Sequence, residues 1–415
     1  MSFPDGFLWG ASTAAHQTEG NNLASDWWTW EHHSPGASWA MSGDACDSYH
    51  RYGEDMRLLA EAGLNAYRFS VEWARIEPED GEISRAEVDH YRRMVDTCLS
   101  VGMQPVVTLH HFTNPQWFAQ RGGWTGPGAA DRFARYVEAV APVIADGVEY
   151  VCTFNEPNFA ALMEDLRAHP DDVWGRNEPG TPVPNPAVVE ALTLAHHRTV
   201  DQVRAIGPKA GWTVATQAYQ AVDGAEDVLE DYAWPRERRF LDEAREDDFV
   251  GVQAYSRNLI GPDGPLPVPA GATITLGGLE YWPRALGEGI ALAWKCAPGV
   301  PVLVTENGIP TKDDQERIAY TADAIRSMEE QIAAGVDVRG YLHWSALDNY
   351  EWGHYEPTFG LIAVDRSTFK RTPKPSLAWL GRIARENGAT VSAISQRREQ
   401  ERARTGPTHP AGSIL

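Results

Sequence analysis

The sequence predicts an α/β fold: a single (β/α)8 barrel of the TIM type, with its active site at the C-terminal ends of the strands. Three observations carry this. Eight short apolar, β-branched runs recur along the 415 residues, each followed by a segment with helical spacing of apolar residues, and no unit repeats in sequence. Several runs end abruptly in a polar or charged residue, which is where such barrels carry their chemistry. The alternative, a doubly wound open sheet, normally has a glycine-rich phosphate loop after its first strand, and none is present. Length alone suggests two or three domains, but barrels run long as single domains. The expected boundaries are a barrel over 1–390 and a polar, Arg-rich tail over 396–415 that should be disordered.

Phe7–Thr13 is the first expected strand. A helix over Asp47–Glu61 follows, with Tyr52, Met56 and Leu59 on one face and Gly63 as C-cap. Ala66–Trp73 is the second strand. Ser84 and Glu87 have capping-box spacing at the start of a helix that Gly102 ends. Gln104–Phe112 is the third strand, followed by a helix built on Phe133, Tyr136 and Val137. The fourth strand begins at Tyr150 and runs into Asn155-Glu156-Pro157. Glu164–Pro184, rich in Asp, Pro and Gly, reads as a surface connection. Asn185-Pro186 then supplies an N-cap and a first-turn proline for a long helix. Gly211–Tyr219 and Asp248–Tyr255 are strands five and six, with an acidic, partly helical stretch between them. Gly261–Gly278 reads as a loop or small hairpin at the mouth. Pro301–Glu306 and Gly340–Leu347 are strands seven and eight, separated by a helix that Asp313 caps. A last helix covers Ser376–Asn387.

Composition narrows the function. A formal net charge of −22 argues against nucleic acid, whose phosphates need a basic surface, and disfavours anionic lipid and phosphorylated ligands. No apolar run is long enough to span a membrane, and the N-terminus has neither a basic region nor an apolar core of a signal peptide. The four cysteines show no Cys-x-x-Cys and no metal spacing, which fits a reducing, cytoplasmic setting; no cofactor is expected. Sixteen tryptophans are a surplus; most should pack in the core, but pyranose faces also stack on indoles. Nothing in the chain speaks to oligomeric state.

Two strands share one form. Tyr150-Val151-Cys152-Thr153-Phe154 leads into Asn155-Glu156, and Val302-Leu303-Val304-Thr305 leads into Glu306-Asn307-Gly308. Two glutamates at the ends of strands four and seven of one barrel are what a two-carboxylate mechanism needs. One must stay protonated and the other ionised. Arg68, on the second strand, could hold Glu306 ionised, and Tyr255 could donate a hydrogen bond to it.

Thr153-Phe154-Asn155-Glu156-Pro157 and Val304-Thr305-Glu306-Asn307-Gly308 resemble the two signatures of family 1 glycoside hydrolases, the retaining β-glucosidases and β-galactosidases. Further resemblances are the opening Phe3–Ser12, the second strand Tyr67–Trp73, and Trp344–Trp352 with Phe359-Gly360-Leu361. The resemblance implies a metal-free retaining β-glycosidase whose substrate is a small neutral saccharide or an aryl or alkyl β-glycoside. It implies Glu306 as nucleophile and Glu156 as acid/base, with Arg68 and Tyr255 tuning the nucleophile. Asn155 would bind the sugar 2-hydroxyl. Gln17, His111, Glu351 and Trp352 would bind the other hydroxyls, and Trp344 would stack beneath the ring. A carboxylate at Glu351 would repel a 6-phosphate. The chain departs from the family's usual pattern at Phe112-Thr113-Asn114-Pro115, at Gln253-Ala254 and at His343, all round the rim. The competing readings are a β-galactosidase or β-fucosidase on the same machinery, or a non-catalytic sugar-binding barrel.

Overall fold

The computed structural model describes residues 3–33, 39–168 and 180–388. Eight parallel strands close into a barrel: β1 (Leu8–Ser12), β2 (Ala66–Ser70), β3 (Gln104–His110), β4 (Tyr150–Asn155), β5 (Lys209–Thr216), β6 (Val250–Ala254), β7 (Val302–Glu306) and β8 (Val338–Trp344). Each strand pairs with its neighbours in sequence. The ring closes by β1 against β8, in a register that sets Leu8 beside Gly340 and Ser12 beside Trp344. Except at Lys209, Gln104 and Arg339, the barrel strands are buried along their whole length. That is why they read as continuous apolar runs rather than alternating ones.

The helices obey their apolar spacing. Ala129–Ala139 buries Phe133, Tyr136 and Val137 against the barrel, and the Tyr136 hydroxyl donates towards Val71 O (3.0 Å) and Leu109 O (2.9 Å). Asn185 and Asp313 cap their helices as expected, each side chain accepting from the backbone N–H two residues on. Gly63 closes Ser48–Ala62 at φ 109°.

Several expected boundaries shift. Ser84 accepts the Glu87 N–H, but the Glu87 carboxylate turns away to the Tyr49 hydroxyl (3.0 Å), so only half of the capping box forms. β2 stops at Ser70, because Glu72 accepts the Ala74 N–H and caps a short helix, Trp73–Ile76. The connection expected from Glu164 begins as helix instead, since Pro157–Ala168 continues through Phe159–Met163. Glu164 is bonded by Asn114 (2.7 Å) and Asp165 by Asn185 (3.2 Å), so both acidic groups have partners on the protein. The mouth excursion is a strand pair, Asn258–Gly261 with Gly264–Pro265, joined in parallel by Tyr219–Ala221. The expected tail lies outside the described residues. All four cysteines are free and buried, and among the described residues no helix is long and apolar enough to cross a membrane.

Two polar devices tie the last described segments to the first. Asn387 donates to Phe3 O (2.8 Å) and accepts from the Trp9 indole (3.2 Å), while the Phe3 N–H donates to Asn387 O (3.2 Å). Arg371, on the short strand Arg371–Pro373, pairs with Asp55 at 2.7 and 3.1 Å, with both side chains wholly buried. Removing the cation alone strands a buried carboxylate. Arg371→Met is expected to lower unfolding stability by about 3–5 kcal/mol, measured as the shift in the urea midpoint.

Candidate active site

Arg68 is the centre of the site. It is fully buried near the end of β2, and its guanidinium reaches three other strands. Nε donates to Thr108 Oγ1 on β3 (2.9 Å), Nη2 to Asn155 Oδ1 on β4 (2.5 Å), and Nη1 to Glu306 Oε1 on β7 (2.6 Å). The other Glu306 oxygen accepts from the Tyr255 hydroxyl at 2.6 Å, just beyond β6. Asn155 Oδ1 also accepts from Gln253 Nε2 (2.7 Å) and Thr213 Oγ1 (3.3 Å). Three donors on the oxygen turn the amide nitrogen the other way, 3.4 Å from His111 Nε2.

Glu156 follows Asn155 at φ 44°, a left-handed backbone that a non-glycine residue takes only when its surroundings impose it. Its N–H is held by Thr213 O at 2.7 Å. Phe112 (φ 69°) and Trp352 (φ 44°) share this conformation, and all three line one cavity of about 390 Å3 at the C-terminal mouth of the barrel.

The same cavity receives Gln17, His111, Asn155, Tyr255, Glu306, Trp344, Glu351 and Trp352. With Arg68 beneath the cavity, every residue singled out from sequence is brought to one place. Gln17 Nε2 donates to Glu351 Oε2 (3.2 Å) and to Tyr350 O (2.9 Å); the Trp344 indole donates to Glu351 Oε1 (3.2 Å). The rings of Trp344, His111 and Trp352 are nearly parallel, with interplanar angles to His111 of 13° and 9°. Gln17 Oε1 and His111 Nδ1 are buried yet make no hydrogen bond to the described residues. Buried polar atoms are nearly always bonded, so groups left open at a cavity mark a polar ligand.

The two carboxyls of the mouth are unlike. Burial and the neighbouring Glu306 charge push Glu156 well above the usual carboxyl range, with only the more distant attraction of Arg68 against them. Burial pushes Glu306 up too, but Arg68 and the Tyr255 hydroxyl pull it back. Glu156 therefore carries the proton of the pair. Burial raises Glu351 as well, opposed by the Trp344 indole. His111 is pushed far below its ordinary range by burial and by Arg68, so it stays neutral.

The sequence reading passed over Thr108 and Thr213, which aim Arg68 and Asn155, and it set Gln253 and His343 at the rim; instead both are fully buried on barrel strands, and Gln253 donates to Asn155 Oδ1. Thr108, Thr213 and Gln253 each point inward from a barrel strand, so strand alternation was the available signal. It also passed over Asn307, whose side chain donates to Ala254 O (2.7 Å) and accepts from the Tyr341 hydroxyl (3.0 Å), joining β6, β7 and β8.

The sequence matches the model of glycosyl hydrolase family 1 over residues 1–259 and 276–389. The chain belongs to that family. As a family 1 glycosyl hydrolase it is an O-glycosyl hydrolase of the retaining β-glycosidase class. It is 33% identical to thermostable beta-glucosidase B of Thermobispora bispora, over 94% of this chain and 92% of that protein. It is 30% identical to a bifunctional beta-D-glucosidase/beta-D-fucosidase of Bifidobacterium breve, over 94% and 99%. Among solved structures, the beta-glycosidase BGL167 superposes with a TM-score of 0.85 at 44% identity, covering 92% of this chain and 97% of that one. The Thermotoga maritima beta-glucosidase in complex with glucoimidazole superposes at 0.83 and 30% identity, over 93% and 99%.

Gly308 shows why one signature of this family 1 chain ends in glycine. A Cβ there would stand 2.0 Å from the carbonyl oxygen of Trp344. Trp344 N–H also bonds Asn307 O at 2.9 Å, so the indole is set from this point. Gly308→Ala is expected to displace Trp344 from Glu351 and cut kcat/KM at least about tenfold, roughly 1.4 kcal/mol of transition-state stabilisation, read from initial rates on an aryl β-glycoside.

Proposed function

We propose that this family 1 enzyme releases terminal, non-reducing β-D-glucosyl residues from short β-glucosides by double displacement, with Glu306 as nucleophile and Glu156 as acid/base. One observation carries the reading: both oxygens of Glu306 are held, one by Arg68 and one by Tyr255, while among the described residues no cation bonds Glu156. A carboxylate so held stays ionised and aimed; a carboxyl so buried keeps its proton.

In the first step Glu306 attacks the anomeric carbon and the bond to the aglycone oxygen breaks. Glu156 gives its proton to that oxygen, leaving a glycosyl ester on Glu306. Esterification removes the Glu306 charge, one of the two causes that raise Glu156. The Glu156 carboxylate is then free to take a proton from the incoming water. Water adds to the anomeric carbon, the ester bond breaks, and sugar and free Glu306 are restored. An alcohol in place of water gives transglycosylation.

In this reading Asn155 bonds the sugar 2-hydroxyl. Gln17, His111, Glu351 and Trp352 bond the others, and Trp344 lies under the ring. Support comes from the open Gln17 Oε1 and His111 Nδ1 and from an Asn155 amide nitrogen turned away from Arg68. No lysine or arginine lines the cavity among the described residues, which favours a neutral sugar over a 6-phosphate. The beta-glucosidase names of the Thermobispora and Thermotoga relatives support glucose; the Bifidobacterium name adds β-fucosides as a companion activity to be ranked. We further infer one hydrolase domain over 1–390 in a reducing, cytoplasmic setting, supported by the reach of the family match and by four free, buried cysteines.

Glu306→Ala is expected to be inactive on every aryl β-glycoside. Glu156→Ala should regain turnover of an activated aryl glucoside with azide and yield the β-glucosyl azide, read by NMR; an α-azide would overturn the double displacement. The pH profile of kcat/KM should be bell-shaped. Glu156, raised, is protonated below its pKa, so activity falls as pH rises through it. Glu306 must be ionised, so activity falls as pH drops through its own pKa. Glu156→Gln should abolish the alkaline limb, whose survival would place the acid elsewhere.

A further inference from the structure

Behind the sugar-facing groups lies a buried carboxylate that the mechanism does not use. Glu31 sits on the helix Asp26–His33, with its side chain 1% exposed. Burying a carboxylate is costly unless donors surround it. Oε1 accepts from the Ser42 hydroxyl (2.5 Å) and the Ser42 N–H (3.2 Å), and His32 Nδ1 stands 3.8 Å from it. Oε2 accepts from the Tyr350 hydroxyl (2.8 Å) and faces His16 Nε2 at 3.8 Å. The Asn22 amide donates to His16 Nδ1 (3.1 Å), so the ring proton sits on the nitrogen that faces Glu31. Burial raises the Glu31 carboxyl, but His16, Ser42 and Tyr350 outweigh it and hold the group below its usual range.

Two of these partners are chain neighbours of the groups that face the sugar. His16 precedes Gln17, and Tyr350 precedes Glu351 and Trp352. The two segments are already joined, since the Tyr350 N–H donates to Gln17 O (3.1 Å) and Gln17 Nε2 to Tyr350 O (2.9 Å). Glu31 clamps them a second time, from behind, through the Tyr350 and His16 side chains. His16 carries the clamp forward: its ring lies parallel to the Trp352 indole, at 5.7 Å and 6°. Trp27, one turn before Glu31 on the same helix, meets Trp352 edge-on at 4.9 Å and 83°. Trp352 keeps a left-handed backbone at φ 44°, so its place depends on what packs behind it. Asn155 draws on a separate set of partners, Arg68, Gln253 and Thr213.

We propose that Glu31 is a positioning residue for sugar selection: through Tyr350 and His16 it fixes Gln17, Glu351 and Trp352 against the 3-, 4- and 6-hydroxyls, and it leaves the 2-hydroxyl to Asn155. This deepens the proposed function and rests on the binding roles given there. A polar group discriminates between hydroxyls only when it is held in place. Without the clamp, the groups that read the far hydroxyls lose their aim, whereas Asn155 keeps its own.

The test measures kcat/KM for p-nitrophenyl β-D-glucoside and for its 2-, 3-, 4- and 6-deoxy analogues. Each glucoside-to-deoxy ratio reports one hydroxyl and cancels any loss of folded enzyme. In Glu31→Ala at least one of the 3-, 4- and 6-deoxy ratios is expected to fall more than about threefold below wild type, while the 2-deoxy ratio stays within that margin. Tyr350→Phe deletes only the hydroxyl that reaches Glu31 and should move the same ratios in the same direction. If all three far ratios stay within the margin in Glu31→Ala, or in Tyr350→Phe where Glu31→Ala does not fold, the inference is overturned. A 2-deoxy ratio that falls as far as the others overturns it too, because Glu31 would then only support the fold. Wild-type 3-, 4- and 6-deoxy ratios all at or below one would instead overturn the binding roles of Gln17, Glu351 and Trp352. A wild type inactive on the parent glucoside overturns the glucoside reading itself.

Discussion

One buried cation organises the mouth of this barrel. Arg68 has no exposed surface, and its guanidinium is used on every side, by Thr108, Asn155 and Glu306. Burying a guanidinium costs several kcal/mol unless its partners are well placed. Here the partners come from strands far apart in sequence, so the charge is tolerable only once the ring of strands has closed. The same arrangement fixes Asn155 and Glu306 relative to each other to within a hydrogen-bond length. The catalytic geometry and the integrity of the strand ends are therefore one structural problem.

A second constraint is backbone conformation. Phe112, Glu156 and Trp352 all adopt left-handed φ values, and all line the cavity. Each sits beyond the last residue of a strand, where the chain must leave the ring and still present a side chain inward. Relaxing any of them would swing its side chain off the cavity. Strain of about 1–3 kcal/mol per such residue is held by the packing around it. Hydrogen bonds of the kind that hold the Glu156 N–H at Thr213 O show how the neighbouring strand holds it.

Much of this was legible in the sequence, for physical reasons. Strands buried on both faces leave continuous apolar runs, and a run that ends in Asn-Glu or Glu-Asn-Gly announces where burial stops. Gly63, Asn185 and Asp313 were readable as caps because caps need particular side chains. What stayed hidden depends on contacts between distant segments. That Glu87 would turn to Tyr49 and leave its box half made, or that Glu72 would cap a helix rather than extend β2, is decided by neighbours far along the chain. Gln253, Thr108 and Thr213 are inconspicuous residue types whose importance appears only when the strands stand side by side.

The pairing of β1 with β8, and of Phe3 with Asn387, has a consequence for how the molecule is made. β1 meets its closing partner only after residue 344 has been synthesised, and the latch only at 387. Until then the outer edge of β1 is an unpaired strand edge, open to the wrong neighbour. The Arg68 guanidinium, held from β3, β4 and β7, waits for most of that interval as well. In synthesis order, then, the β1–β8 seam and the full set of Arg68 partners are both complete only once the later strands of the barrel exist.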